Sequence, residues 1–466
     1  MNHTKTATSG DVKRLGSGPI GRLLWDYSIP AVVGMLVMSL YNVVDRVFIG
    51  QGVGPDGITG LAITFPVMNI SAALGVLIGS GASARVSILL GSKDEHGAEM
   101  TLGNSLTLIV VNAVVYLSLM WIFLDDILRL FGADEASLPY AHDYLIYLLP
   151  GMLLMNTGFS LNNVMRASGY PVKAMNSMFI GAGLNVVLDA LFIFVLDMGI
   201  KGAAIATDIS MGVFALFVLR HFSLRSSTLH FRRHSFRLHR KIVWGIIGIG
   251  AAPSLVNFAS CLINIIINKS LYEYGGNNAV AAAGIFVTYT SLICMTVVGL
   301  CQGMQPIVGY NFGAGNYGRL RRAYWLAVGV ATAVVSVGAV VGLTVPHLIA
   351  RAFNSDPELI RVTSNAFSIA MVCFWVVGFQ IVSTTFFQSI GKVGKSIFLS
   401  LSRQVLFLIP LLLILKHYYH LDGVWMSFPV SDMFATLVTV VLIVMQFRKL
   451  DKSRNCSNHE AEATES

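Results

Sequence analysis

The sequence predicts an all-α integral membrane protein: twelve transmembrane helices in two six-helix lobes, related by a pseudo-two-fold axis along the membrane normal. Composition, the length of the apolar runs and an internal repeat predict it. Of 466 residues, 55% are hydrophobic and 12% charged, with mean hydropathy +0.69. Soluble domains carry about 25% charged residues. Apolar stretches of about 20 residues, each long enough to cross a bilayer as a helix, recur along the whole chain. They are continuous rather than alternating, which excludes a transmembrane β-barrel.

Spans 1 to 6 are read at 22–49, 58–90, 101–124, 138–165, 171–196 and 201–222, and spans 7 to 12 at 242–274, 279–311, 319–345, 358–390, 396–416 and 422–447. The longer ones must tilt or project into water. The first is not a cleavable signal peptide, because a polar tail precedes it and no small-residue cleavage site follows. The chain therefore divides into a tail (1–21), an amino-terminal lobe (22–222), a basic linker (223–241), a carboxyl-terminal lobe (242–447) and a polar tail (448–466).

The second lobe repeats the first at an offset of about 222 residues. Pro30 in YSIPAVVG matches Pro253 in GAAPSLVN, and VVDR (43–46) matches IINK (266–269). GASARVSILLGSKD (81–94) matches GMQPIVGYNFGAGN (303–316), and RASGYPVKA (166–174) matches QSIGKVGKS (388–396). Six spans per half is an even number, so both halves enter from the same side as parallel repeats. Transporters are commonly built this way, with a substrate path at the repeat interface.

The net charge of +8 is a topology signal rather than a nucleic-acid signature. Arg220, Arg225, Arg232, Arg233, Arg237, Arg240 and Lys241 fall in one acid-free segment, Arg319, Arg321 and Arg322 in another, and Arg448, Lys449, Lys452 and Arg454 in the tail. The alternate loops are acidic or neutral, as at Asp125, Asp126, Asp134 and Glu135. The positive-inside rule then places both termini in the cytoplasm of a bacterial inner-membrane protein. The 220–241 run reads as a topogenic loop lying on anionic lipid.

Within this apolar chain, two acids stand out. Asp189 lies in LNVVLDALFIFVL, with Asn185 one turn before it on the same helix face. Asp45 lies in a second apolar run, 35–49. A carboxylate at the centre of a span costs roughly 2.5–3.5 kcal/mol on insertion scales and usually marks an ion or substrate path. Counted from the outer turns at about 1.5 Å per residue, the depths of Asp45, Asp189 and Thr207 agree within roughly 8 Å. Two carboxylates, an amide oxygen and a hydroxyl can ligate a hard cation or share a proton. The blander readings are an Asp45–Arg46 pair, a structural network for Asn185 and Asp189, and a packing role for Thr207. No metal-ligand spacing occurs, the five cysteines read as small packing residues, and no resident cofactor is expected. A membrane enzyme would need a converging nucleophile, base or metal set, but the histidines are scattered in tails, loops and linker. The glycine-rich stretches 60–91 and 299–315 lack GxxxxGK[ST] and read as close-packing helix surface.

These residues resemble the multidrug and toxic-compound extrusion (MATE) family over roughly 20–447. The marks, in order, are VVDRVFIG, LLGSKD, RASGYP, NVVLDALFIF and GIKGAAIAT. The resemblance implies export of small organic, often cationic amphipathic, compounds in exchange for H+ or Na+ by rocking alternating access, with membrane lipid as surroundings and a monomer as the working unit. In the branch most resembled, Asp45, Asn185, Asp189 and Thr207 match the cation site, and Pro30 matches a proline at which span 1 bends in some relatives. Asp208 and Asp432 are further candidates for modulating roles. So is Asn268, which stands opposite Asp45 in the repeat. The second lobe departs from another branch in having no acid on span 10 beyond its first residue, Glu358. The main alternative is a flippase or exporter of lipid-linked oligosaccharide, which shares the broader plan.

Overall fold

The computed structural model describes residues 12–465 apart from Gly54, Ala136, Arg225 and Ser226, and leaves out the side chains of Asn42, 55–59 and 453–465. Most of the amino-terminal tail, Arg225 of the basic run, and the side chains of Arg454 and Cys456 thus lie outside the described residues.

Among the described residues, nine helices and one bent pair are long and apolar enough to cross a membrane. Spans 1 to 6 are Ile20–Gly52, Pro55–Gly91, Glu95–Ile122, Leu138–Ala167, Pro171–Ala190 with a π-helical turn Leu191–Val195, and Gly199–Ser223. Two of the nine are double. Arg240–Gly313 breaks at Gly276 (φ 60°, ψ −156°), giving spans 7 and 8. The run from Val393 breaks at His420 (φ 53°, ψ −125°), giving spans 11 and 12. The first break uses a backbone region open essentially to glycine alone. With Tyr317–Thr344 as span 9 and the bent pair as span 10, twelve membrane-length segments result.

Span 3 begins six residues earlier than its apolar run, because Asp94 caps Gly97 N–H at 2.8 Å and starts the helix at Glu95. Span 10 is not one rod: Pro357–Ala370 and Phe374–Ser389 meet at 55°. A short helix, Lys13–Ser17, precedes span 1. Asn311 Nδ2 donates to its Leu15 carbonyl at 3.0 Å, and Arg319 Nη2 donates to Gly18 O at 2.6 Å. Leu15, Leu23, Leu24 and Tyr27 join the core of the second lobe.

The repeat is visible in backbone conformation. RASGYP ends span 4 with Gly169 at φ +99°, and Pro171 opens span 5; its counterpart Gly391 sits at φ +68°. Lys93 (φ +62°) and Gly315 (φ +71°) form a second matching pair. Gly at such a C′ position satisfies the last carbonyls without a Cβ clash.

The lobes meet on the side that carries the termini. A Cβ at Gly91 would strike the Tyr310 carbonyl, and one at Gly313 would strike that of Ile88. These two contacts interchange under the 222-residue offset. Ser87 faces Gly309, its own counterpart, so the pseudo-two-fold axis passes between spans 2 and 8 there. Arg166 (span 4) donates to Gln302 (span 8), and Ser28 Oγ donates to the Leu300 carbonyl at 3.3 Å. Small residues allow this close backbone approach, as in membrane helix packing generally.

The linker is fastened to the first lobe, with Arg232, Arg233, Arg237 and Arg240 left exposed. Asn104 Nδ2 donates to the carbonyls of Ser235 (2.9 Å) and Arg237 (3.0 Å), while Asn104 Oδ1 accepts from His239 N–H at 2.8 Å. Glu99, also on span 3, pairs with Arg232 and, at 3.3 Å, with His230. A buried carboxylate and a buried amide thus fasten a segment whose basic charge alone suggested a lipid contact.

Candidate cation-coupling site

Spans 1, 4, 5 and 6 bring the polar residues of the first lobe to one place. Asn185 and Asp189 are fully buried on span 5, and Asp45 and Thr207 are 8% exposed. Asn185 Nδ2 donates to Thr207 Oγ1 at 3.3 Å, linking spans 5 and 6. The Asp45 and Asp189 carboxyls, on spans 1 and 5, lie close enough to act on each other. Directly after Asp189 the helix widens into the π turn at Leu191–Val195, a distortion common at functional sites.

Asp45 Oδ1, Asn185 Oδ1 and both carboxylate oxygens of Asp189 are buried without a hydrogen-bond partner among the described residues. A buried acceptor left without a donor costs about 1–3 kcal/mol, more when charged. Two ionised carboxylates cannot bond to each other, since both are acceptors. Two carboxyls held this close are therefore suited to a shared proton or a bridging cation. Arg46 does not fill that need. It is exposed, its guanidinium lies 5.7 Å from the Phe65 ring centroid, and it forms no ion pair with Asp45 among the described residues.

Two tyrosines complete the surroundings. Tyr144 of span 4 is 1% exposed and close enough to feel the charges of Asp45, Asp189 and Asp208, and Tyr41 lies with it one turn before Asp45. Sequence reasoning passed over both, because a tyrosine in an apolar span looks like packing. The i, i+4 spacing of Tyr41 and Asp45 was the available signal.

The remaining candidates fall around or away from this cluster. Pro30 is buried inside a helix that continues from Ile20 to Gly52; lacking an N–H, it leaves the Asp26 carbonyl without its helical donor. Asp208 is half-buried against Gly151 of span 4, with Oδ1 unpartnered. It borders the cluster without joining it. Asn268 is exposed on span 7, in the other lobe.

Asp432 belongs to a different centre. Its Oδ1 accepts from Arg403 Nε at 2.7 Å, and its backbone carbonyl accepts from Gln380 Nε2 at 2.7 Å. Ser431 Oγ donates to the Arg403 carbonyl at 2.8 Å. Arg403, which the sequence reading did not single out, sits in a second π-helical stretch, Ser402–Leu408. The second lobe thus holds a charge that carries its own counter-charge.

A polytopic helical protein with duplicated lobes and a polar cluster buried in one of them fits the class of membrane transporters. The MatE family model matches this chain twice, over residues 30–191 and 253–414, and the chain belongs to that family of transporters. The multidrug export protein MepA of Staphylococcus aureus (strain MSSA476) is 26% identical over 430 residues, covering 92% of this chain and 94% of that protein. A multidrug resistance MATE family transporter of the MOP superfamily, solved in an outward-facing conformation, superposes with a TM-score of 0.89 at 27% identity over 96% of this chain and 99% of that one. A MATE structure in the bent conformation gives a TM-score of 0.90 at 26% identity over 96% and 99% of the two chains.

Proposed function

We propose that this protein is a multidrug exporter that expels organic, cationic amphipathic compounds in exchange for H+ or Na+, working as a monomer by rocking of its two lobes. The observation that carries the proposal is the set of four buried acceptor oxygens on Asp45, Asn185 and Asp189 that lack donors, with the two carboxyls close to each other. Asp45, Asn185, Asp189 and Thr207 are the coupling residues, and the closeness of the two carboxyls favours H+. Asp208, at the border of the cluster, is assigned a modulating role.

The basic clusters 220–241, 319–322 and 448–454 lie on the side of the glycine seam, so the positive-inside rule makes that side the cytoplasm. The lobes are then closed inward, and the coupling ion arrives from outside. Neutralising the acid pair lets span 1 repack, with Pro30 as the point where its ladder is already interrupted. One charge entering down 100 mV supplies about 2.3 kcal/mol, which offsets the electrical cost of moving one positive charge on a cationic substrate outward.

The test is dye transport in proteoliposomes with pH and Na+ gradients imposed separately. The expected result is uptake or release driven by one gradient and abolished in Asp45→Asn and Asp189→Asn at equal protein incorporation. Normal gradient-driven transport by Asp189→Asn would refute the assignment.

A further inference from the structure

The second lobe carries a groove that the transport mechanism does not use. It opens between spans 9, 10 and 12 with a volume of 540 Å³. Its walls are apolar, formed by Trp325, Val328, Phe379, Val440, Val444 and Phe447. Trp325 and Val440 are 47% and 44% exposed, so the groove opens outward from the lobe.

Its length and its ends are informative. Along span 9 it runs from Arg321 to Thr332, eleven residues or about 16 Å of helix. That is about half of the ~30 Å hydrocarbon thickness, the depth of one leaflet. The inner end is closed by Trp375 and Val376, just after the 55° break in span 10. The outer end, on the side of the termini, holds Arg321, Arg448 and Asp451. Asp451 Oδ2 is 3.8 Å from Arg321 Nη1, and the Arg321 guanidinium lies 5.3 Å from the Phe447 ring centroid. Both partners of that ion pair are more than half exposed, so it neutralises Arg321 only weakly. Among the described lining residues, two arginines and one acid thus stand at the mouth of an apolar slot one leaflet deep.

We propose that this groove is a binding site for an anionic glycerophospholipid of the leaflet on the terminus side. One acyl chain fills the slot down to Trp375, and the phosphate sits between Arg321 and Arg448. Basic pockets between membrane helices recognise anionic head groups by this chemistry, and the fitted apolar slot separates such a site from annular lipid. The proposal stands on the groove alone and is independent of the coupling ion.

The experiment uses the full-length protein in detergent, depleted of lipid. Thermal unfolding is followed after adding phosphatidylglycerol, phosphatidylcholine of the same chains, or inorganic phosphate, and bound lipid is counted by native mass spectrometry. The wild type is expected to retain phosphatidylglycerol at least tenfold more than phosphatidylcholine and to melt several degrees higher with it. Arg321→Gln with Arg448→Gln should abolish that preference while leaving the melting temperature in phosphatidylcholine unchanged. Val440→Trp, which fills the slot and keeps both arginines, should reduce retention of phosphatidylglycerol. Arg233→Gln, in the exposed basic linker, should change nothing. Equal retention of the two lipids, preference surviving the double substitution, or inorganic phosphate reproducing the shift would each overturn the proposal.

Discussion

The glycine seam between spans 2 and 8 gives a sharp handle on the proposed rocking motion. Gly91 and Gly313 each face a backbone carbonyl of the opposite lobe, so an added methyl group has no side chain to push aside. At Gly309 a Cβ would stand 2.7 Å from the Cβ of Ser87, against an ordinary contact of 3.4–4 Å. Closing the seam over one such methyl group must move the helices apart by about 0.7 Å or more. Overpacking of this kind costs typically 1–3 kcal/mol, and only while the lobes are closed on the terminus side. Gly91→Ala or Gly313→Ala should therefore shift the population toward the lobes-apart state by about 5–150-fold. The two together should shift it further, though less than additively, because they share one interface. The readout is the distance between spin labels at Glu95 and Asn316 in a cysteine-replaced background, measured by pulsed electron resonance in nanodiscs. Gly183→Ala, where nothing lies within 4 Å, is the control and should leave the distance alone. An unchanged distance distribution in the Gly91→Ala, Gly313→Ala double variant would refute the reasoning.

Further outcomes follow from the two polar clusters away from the acid pair. Arg403→Met and Asp432→Asn should each lower the melting temperature markedly, since removing one partner of a buried pair costs about 3–5 kcal/mol. The double replacement Arg403→Met, Asp432→Leu should recover much of that loss in the same thermal assay. Asn104→Ala removes three hydrogen bonds to the linker, and limited proteolysis should then cut between 228 and 239 at least several-fold faster, with the spans intact. Tyr144→Phe should leave folding unchanged and shift the pH at which dye exchange is half-maximal, read in proteoliposomes.

Much of the architecture was legible because it rests on long-range periodic signals. Apolar run length gave the twelve spans, and the order of weak matches such as GSKD with GAGN gave the duplication. Asn185 and Asp189 stood out because ionisable and amide groups are rare in such runs. What escaped has a common cause. The break in span 10 falls at Met371–Cys373, with no proline or glycine to signal it. Asp432 was visible, but its partner Arg403 lay 29 residues upstream on another span, and nothing local paired them. That the linker is fastened to span 3 escaped because the residue that holds it, Asn104, sits about 130 positions earlier, in the first half of a helix that reads as an apolar span. Contacts made by one polar side chain across lobes or spans leave no period to detect.

The Arg403–Asp432 pair also bears on how much electrical work the protein can draw from the membrane. A cation bonded to its own anion inside the protein moves with no net charge when the lobes rock. That pair therefore adds nothing to the charge carried per cycle, although it occupies the two helices equivalent to spans 5 and 6. On the proposed coupling, the charge count is set by the Asp45–Asp189 pair alone. Two carboxylates bound the electrical part of the yield at about 4.6 kcal/mol per turnover at 100 mV, and each positive charge on the exported drug takes back half of it.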